Sequence, residues 1–261
     1  MSKVPVLFVS HGAPTFALEP GLLGPQLTTL GQHLSGIKAV LVVSPHWQTV
    51  SVRVMSNPAP KTVHDFGGFP APLYALQYPA AGAPQLALEA AKLLVDAGFP
   101  VALDAQRGLD HGAWVPLMHL LPDATVPVFQ VSMPLALNPV EALRMGQALA
   151  PLREQGVLIM GSGSMTHNLA EIDRSGDQAA YALEFSHWIR AAVVANDIAS
   201  VISYRQAAPH AERAHPTEEH FLPLLVALGA HAEMEAVQLL DGGLTYGVLS
   251  MESYVWGLPA H

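Results

Sequence analysis

The sequence predicts an α/β fold, a single domain over residues 1–261 with a mostly parallel central sheet flanked by helices. Three observations predict it. Short apolar runs rich in β-branched residues alternate with longer amphipathic ones along the chain. No linker-like stretch divides the 261 residues, a length that one core can serve. Hydrophobic residues make up 51% and charged ones 13%, a balance that favours burial over disorder.

The elements follow in order. Val4 to Ser10 reads as the first buried strand and stops at His11; Ile37 to Ser44 reads as the second. Pro84 to Ala97 is an Ala/Leu-rich helix ended by Gly98 and Pro100, and Pro100 to Asp104 and Val126 to Ser132 are further buried strands. Asn138 then caps a helix with Pro139 in its first position, Glu141 where a capping box needs it, and an apolar stripe of Ala142, Met145, Leu149 and Leu152. Gly156 to Gly161 is a strand, and helices are expected over Asp177 to Ala195 and Thr217 to Leu228. There is no internal repeat.

Composition narrows the chemistry. A formal charge of −9, without any Lys/Arg cluster, leaves no basic field for phosphates, so nucleic acid is not an expected partner. No apolar run approaches the roughly 20 residues that span a bilayer, and no signal-peptide cleavage pattern follows the N-terminus, so a soluble, cytoplasmic protein is expected, as monomer or homodimer. With no cysteine and 13 histidines, any metal must be held by His, Asp or Glu.

The histidines are placed for that task. In open α/β sheets ligands bind beyond the carboxyl ends of the strands. His11 follows the first strand in Ser10-His11-Gly12-Ala13-Pro14, His46 follows the second in Ser44-Pro45-His46-Trp47, and His167 follows the Gly156 to Gly161 strand across Gly161-Ser162-Gly163-Ser164. The two glycines of that last loop would let backbone approach a ligand closely. It lacks the lysine and spacing of a phosphate loop. In Asp110-His111-Gly112-Ala113-Trp114 two readings stand: Asp110 orients the His111 ring, or it caps a helix and His111 is incidental. In His215-Pro216-Thr217-Glu218-Glu219-His220, Thr217 reads as a cap and His220 as the third helical residue; Glu218 and Glu219 suit a helix dipole or a ligand role.

Taken together and in this order, these segments resemble the class III extradiol ring-cleavage dioxygenases, in the small single-chain branch. The resemblance also takes in His64-Asp65-Phe66-Gly67-Gly68-Phe69-Pro70 with Leu73-Tyr74 and Tyr78-Pro79, as a loop overhanging the pocket, and the closing stretch from Tyr246-Gly247 to Ser253-Tyr254. It implies one mononuclear Fe(II) or Zn(II) site ligated by His11, His46 and His220, with His167 as acid/base toward substrate or as fourth ligand around zinc. It implies His111 as a pocket histidine facing dioxygen or a substrate oxygen without a bond to metal, and a small aromatic diol and dioxygen as the reactants.

Beside these, His215, Trp47, Phe66 and Tyr74 are candidates for substrate contact, and Phe69, Trp114 and Tyr204 are aromatic side chains that either stack on a ring or pack. Many class III enzymes use two histidines and a carboxylate, which suits non-haem iron; a third histidine here leaves iron and zinc both open, with Glu218 and Glu219 as carboxylate alternatives. A zinc hydrolase using the same cluster, and a non-catalytic binding protein of the same fold, are the competing classes. His33, His119, His187, His210, His231 and His261 are taken as structural or solvated.

Overall fold

The computed structural model describes residues 3–173, 175 and 177–258, and His261 lies outside them. In chain order its strands are β1 (Val6–Ser10), β2 (Ala39–Thr49), β3 (Val52–Met55), β4 (Val101–Asp104), β5 (Val128–Pro134), β6 (Val157–Gly163), β7 (Val237–Leu240), β8 (Leu244–Thr245), β9 (Leu249–Ser250) and β10 (Ser253–Trp256). All but β8 and β9, which pair with each other, form one sheet in the order β4-β3-β5-β2-β6-β1-β10-β7. The centre, β5-β2-β6-β1, is wholly parallel. Helices cover both faces of such a centre, which is why its strands read as unbroken apolar runs: β1 and β6 are buried at every position. β10 and β7 extend the sheet antiparallel on one side, and β3 joins β5 antiparallel on the other.

The expected helices form with small shifts, at Pro84–Asp96, Pro139–Leu149 and Ala180–Val194. Asn138 does cap, its side chain accepting from the Glu141 N–H at 3.0 Å. Ala142, Met145, Leu149 and Leu152 are fully buried, although Leu152 belongs to a following 3₁₀ turn, Ala150–Gln155.

Three expectations are corrected. β4 is an edge strand with Leu103 exposed, not a buried one. β2 continues five residues past Ser44, so Pro45, His46 and Trp47 lie within it at a register shift against β5. The helix expected from Thr217 begins at Leu222 and runs to Ala230. Pro223 decides that start. It has no N–H to give and is tolerated in a first turn, whereas a helix begun at Thr217 would bury it in the interior. The Thr217 hydroxyl donates to Glu219 Oε1 at 2.9 Å and caps nothing.

Candidate metal centre

The parallel centre brings the ends of β1, β2 and β6 to one edge of the sheet, and five histidines meet there. His11 follows β1 directly and is held by its backbone N–H to Gly163 O at 2.9 Å. His46 sits on the extension of β2, and His111 opens the helix His111–Leu120. His167 follows β6 and donates its backbone N–H to Ala214 O at 2.8 Å. His220 lies in the turn ahead of Leu222, its carbonyl accepting from Ser164 N at 2.9 Å. The ring centroids of His11 stand 5.0 Å from His46, 5.4 Å from His111 and 5.6 Å from His220, and His167 stacks on His220 at 3.4 Å.

Gly161 and Gly163, expected in a loop, serve a purpose other than the expected one. They belong to the strand itself, and they admit protein backbone, not a ligand. A Cβ on Gly161 would stand 2.1 Å from Pro223 O, and one on Gly163 2.3 Å from His220 O. The bare strand lets the 220–223 turn lie flat against it, and that contact delivers His220 to the site.

Hydrogen bonds fix which nitrogens face inward. Ser162 Oγ donates its one proton to Gly112 O, so at 3.0 Å it accepts from His11 Nδ1–H and leaves Nε2 as a lone pair. That Nε2 stands 3.0 Å from His46 Nε2. Glu219 Oε1 holds His220 Nδ1 at 3.0 Å, and His220 Nε2 is buried with no partner. A carboxylate on the far nitrogen of a histidine is the usual device for presenting the near one to a metal. Two nitrogens about 2.0–2.1 Å from one ion stand roughly 3 Å apart at right angles and roughly 3.4 Å apart in a tetrahedral shell, so the donor pair fits either arrangement. The donor atoms of His11, His46 and His111 lie within 4.8 Å of one another, as do those of His167, Glu219 and His220. This cluster is able to hold a metal ion.

Electrostatics keep the donors available. Burial, followed by the neighbouring imidazoles, holds His11 and His220 well below their ordinary pKa. Burial lowers His46 to about 4, with His111 adding to the effect and Asp110 and Asp65 opposing it. Burial likewise lowers His167 to about 4 against the pull of Glu219. These four imidazoles are therefore neutral near pH 7, the form that ligates or accepts a proton.

The cavity in front of the cluster has a volume of about 340 Å³ and is lined by His11, His46, His111, His167 and His220 together with Phe66, Phe69, Leu169, Ile172, Leu249 and residues 12–14 and 246. Of the residues expected to touch substrate, Phe66 is in this wall; Trp47, Tyr74 and His215 are not. Trp47 follows His46 in an extended strand, so it points to the opposite face, where it is buried under the Arg107 guanidinium at 5.1 Å. Tyr74 stands behind Phe66, ring centroids 5.3 Å apart, and accepts the Phe69 N–H. His215 is wholly buried among Phe185, Tyr204 and Phe221, with Nε2 at 2.9 Å from Met165 O. Trp114 and Tyr204 are packed as well, Trp114 donating to Val63 O and Tyr204 to Glu218 Oε1, which takes Glu218 away from the site.

Sequence reasoning missed Asp65. Its Oδ1 accepts the His111 backbone N–H at 2.9 Å and stands 3.0 Å from His111 Nδ1, and its Oδ2 stands 3.9 Å from His46 Nδ1. Burial pushes this carboxyl up, but the His111 contacts outweigh it and hold the group down at about 2. Asp65, not Asp110, orients His111. Asp110 occupies the position before the helix without capping it and instead binds Arg107 Nη2 and Gln130 Nε2, both at 2.8 Å, while Arg107 also donates to His46 O. His111 thereby stands with its donor atom within 4.8 Å of those of His11 and His46. Among the other histidines, His33 and His187 are exposed, and His119, His210 and His231 bond to Phe16 O, Glu184 and Leu228 O.

Comparison with known proteins decides the family. Residues 28–254 match the model of the catalytic LigB subunit of aromatic ring-opening dioxygenase. The chain belongs to this family. It is 41% identical over 254 residues to a 4,5-DOPA dioxygenase extradiol of Beta vulgaris, covering 95% of this chain and 94% of that one. It is 36% identical over 261 residues to a protein of the same name from Escherichia coli K12, covering 97% and 94%. A crystal structure of an uncharacterized Escherichia coli K12 protein superposes with a TM-score of 0.80 at 30% identity, covering 97% of this chain and 99% of that one. Among the described residues, no helix is long and apolar enough to cross a membrane.

Proposed function

We propose that the protein is an extradiol dioxygenase that opens the ring of a small catechol with dioxygen, giving a muconic semialdehyde-type product. The observation that carries this reading is the orphaned His220 Nε2, buried beside the paired Nε2 atoms of His11 and His46 at the floor of a cavity. An unpartnered buried nitrogen costs roughly 1–3 kcal/mol unless a ligand satisfies it. In this reading His11, His46 and His220 hold one Fe(II) or Zn(II) ion per chain. When bound, the metal supplies the common point at which diol and dioxygen meet and the Lewis acidity that favours the catecholate.

The chain's own residues do the rest. His167, neutral and parallel to His220, accepts a phenolic proton as the diol binds; alternatively, with zinc, it completes a four-histidine shell. His111, held by Asp65 through Nδ1, presents its remaining nitrogen to the oxygen that is reduced, as an acceptor that can take up a proton released by the diol and return it there. Phe66 and Phe69 cover the ring and exclude water.

The test is anaerobic loading with Fe(II), addition of a catechol panel, and admission of air. One dioxygen consumed per catechol, with a coloured product carrying both oxygen atoms, is expected. No uptake across the panel, together with ester or amide hydrolysis by the zinc form, would replace this reading by that of a hydrolase.

A further inference from the structure

The turn after β8 carries a side chain that its backbone does not favour. Thr245 pairs with Leu249 across the β8–β9 hairpin, so Tyr246, Gly247 and Val248 form the connection. Tyr246 and Gly247 both stand in the left-handed region, at φ 51° and 72°. Glycine takes that conformation at no steric cost, whereas a bulky aromatic residue is strained there. The surroundings hold it in place. The Tyr246 carbonyl accepts from Asp173 N at 3.0 Å, the Gly247 carbonyl accepts from Ala179 N at 2.9 Å, and Tyr246 Oη lies 2.6 Å from Thr15 Oγ1. Strain enforced in this way is found where a side chain has a task.

What lies on either side of the ring shows that task. A second cavity, also of about 340 Å³, adjoins the metal cavity, with Phe16, Pro20 and Met251 in its wall. Among the described residues, Ala13 and Tyr246 border both cavities. Ala13 offers only a methyl group, so the Tyr246 ring is the bulk of the partition. The segment after His11 forms the other side of the seam: Pro14 lines the metal cavity and Thr15 the second one, where its hydroxyl meets that of Tyr246.

Resting on the catechol reading above, we propose that Tyr246 is a specificity-determining residue. Latched to Thr15, its ring closes the substrate site against the second cavity and limits how far a ring substituent reaches in that direction. Substituents that point toward the mouth are not limited by it. Behind the ring, the buried side chains of Phe16 and Met251 would receive an aryl group once the partition is gone.

The experiment compares the Fe(II)-loaded wild type, Y246G and Y246N with 4-methylcatechol and with 3- and 4-(2-phenylethyl)catechol, which direct a long arm two ways from the diol. Glycine and asparagine both accept the left-handed backbone, so neither substitution strains the turn. Anaerobic titration gives Kd without turnover, and oxygen uptake gives kcat/KM. Expected in the variants is a gain of about tenfold or more in both quantities, relative to 4-methylcatechol, for one of the two phenylethylcatechols; tenfold corresponds to about 60 Å² of apolar surface buried. An unchanged ratio for both arms, in variants that still bind Fe(II) and 4-methylcatechol, overturns the inference and leaves the ring-cleavage reading standing. If the tyrosine variants fail to bind either of these, T15V decides, since it keeps the shape of Thr15 and removes the latch. A shift of about threefold in the same ratio supports the partition, and no shift overturns it. Catechols that bind the wild type without being cleaved refute the ring-cleavage reading, and the Kd ratio alone then judges Tyr246. If no catechol binds the wild type, both readings fall.

Discussion

Replacing Gly163 by alanine would place a methyl group 2.3 Å from the carbonyl oxygen of His220 and 3.2 Å from the Phe8 ring. Neither neighbour can yield easily. The carbonyl is backbone and already accepts from Ser164 N at 2.9 Å, and Phe8 is wholly buried in β1. Reaching an ordinary contact, about 3.4 Å or more, requires the 220 turn to retreat by roughly 1 Å, and misplacement of that size can cost on the order of 100-fold at a metal or catalytic group. Overpacking of this kind also costs about 1–3 kcal/mol of stability, or roughly 2–4 °C in Tm per kcal/mol for a chain of about this size. We therefore expect G163A to fold with a Tm lowered by several degrees and to bind Fe(II) or Zn(II) at least tenfold more weakly, as read by competition with a chromophoric chelator. G67A is the control, because a Cβ there meets nothing within 4 Å. A G163A protein with unchanged metal affinity would refute the claim that close backbone approach seats His220.

Other expectations follow from the same geometry. H11A and H46A should each abolish stoichiometric metal binding, whereas H167A should retain the metal and lose turnover if His167 is the base; metal loss in H167A would mark it as a ligand. E219Q weakens the hold on His220 Nδ1 and should cost about 10–100-fold in metal affinity, measured by the same competition, with little change in the melting of the metal-free form. Burial pushes His215 down to about 3, so the folded state keeps it neutral while the unfolded chain takes up a proton below about 6.5. Stability from this group is thus complete above pH 6.5 and lost as pH falls toward 3, amounting to about 1.4 kcal/mol at pH 5.5. Urea unfolding of the metal-free protein at pH 7.5 and 5.5 should show that loss in the wild type and a loss smaller by about that amount in H215N; equal losses would contradict it.

The parallel centre was legible because β1, β2, β5 and β6 are covered on both faces, and strands so covered are continuous apolar runs. β3 and β7 were not, for Arg53 and Gln238 interrupt their four-residue runs, and β10 is a buried four-residue run that opens on Ser253 and joins the sheet antiparallel. His11 and His167 were legible because each stands just past a recognisable strand end. His46 was legible as a site residue although its strand runs on, and the same extension turns Trp47 to the other face. The segment from His215 to His220 carried opposing signals: Thr217 and two acids imitate a cap, and only the steric demand of Pro223 moves the helix start to Leu222. Asp65 was visible only as part of the overhanging 64–70 segment and its role was not, since its partner His111 is distant along the chain and only the folding back of that segment joins them. Gly161 and Gly163 were visible, but a glycine that admits backbone cannot be told by sequence from one that admits a ligand.

In this reading one metal ion is held by the imidazoles of His11, His46 and His220. X-ray absorption at the iron edge, on protein loaded anaerobically with one equivalent of Fe(II), tests it most directly. Three or more imidazole ligands per iron, falling by one in H220A with no second tight ion per chain, is the predicted result. A shell of oxygen donors alone, or one unchanged in H11A, H46A and H220A, would contradict it.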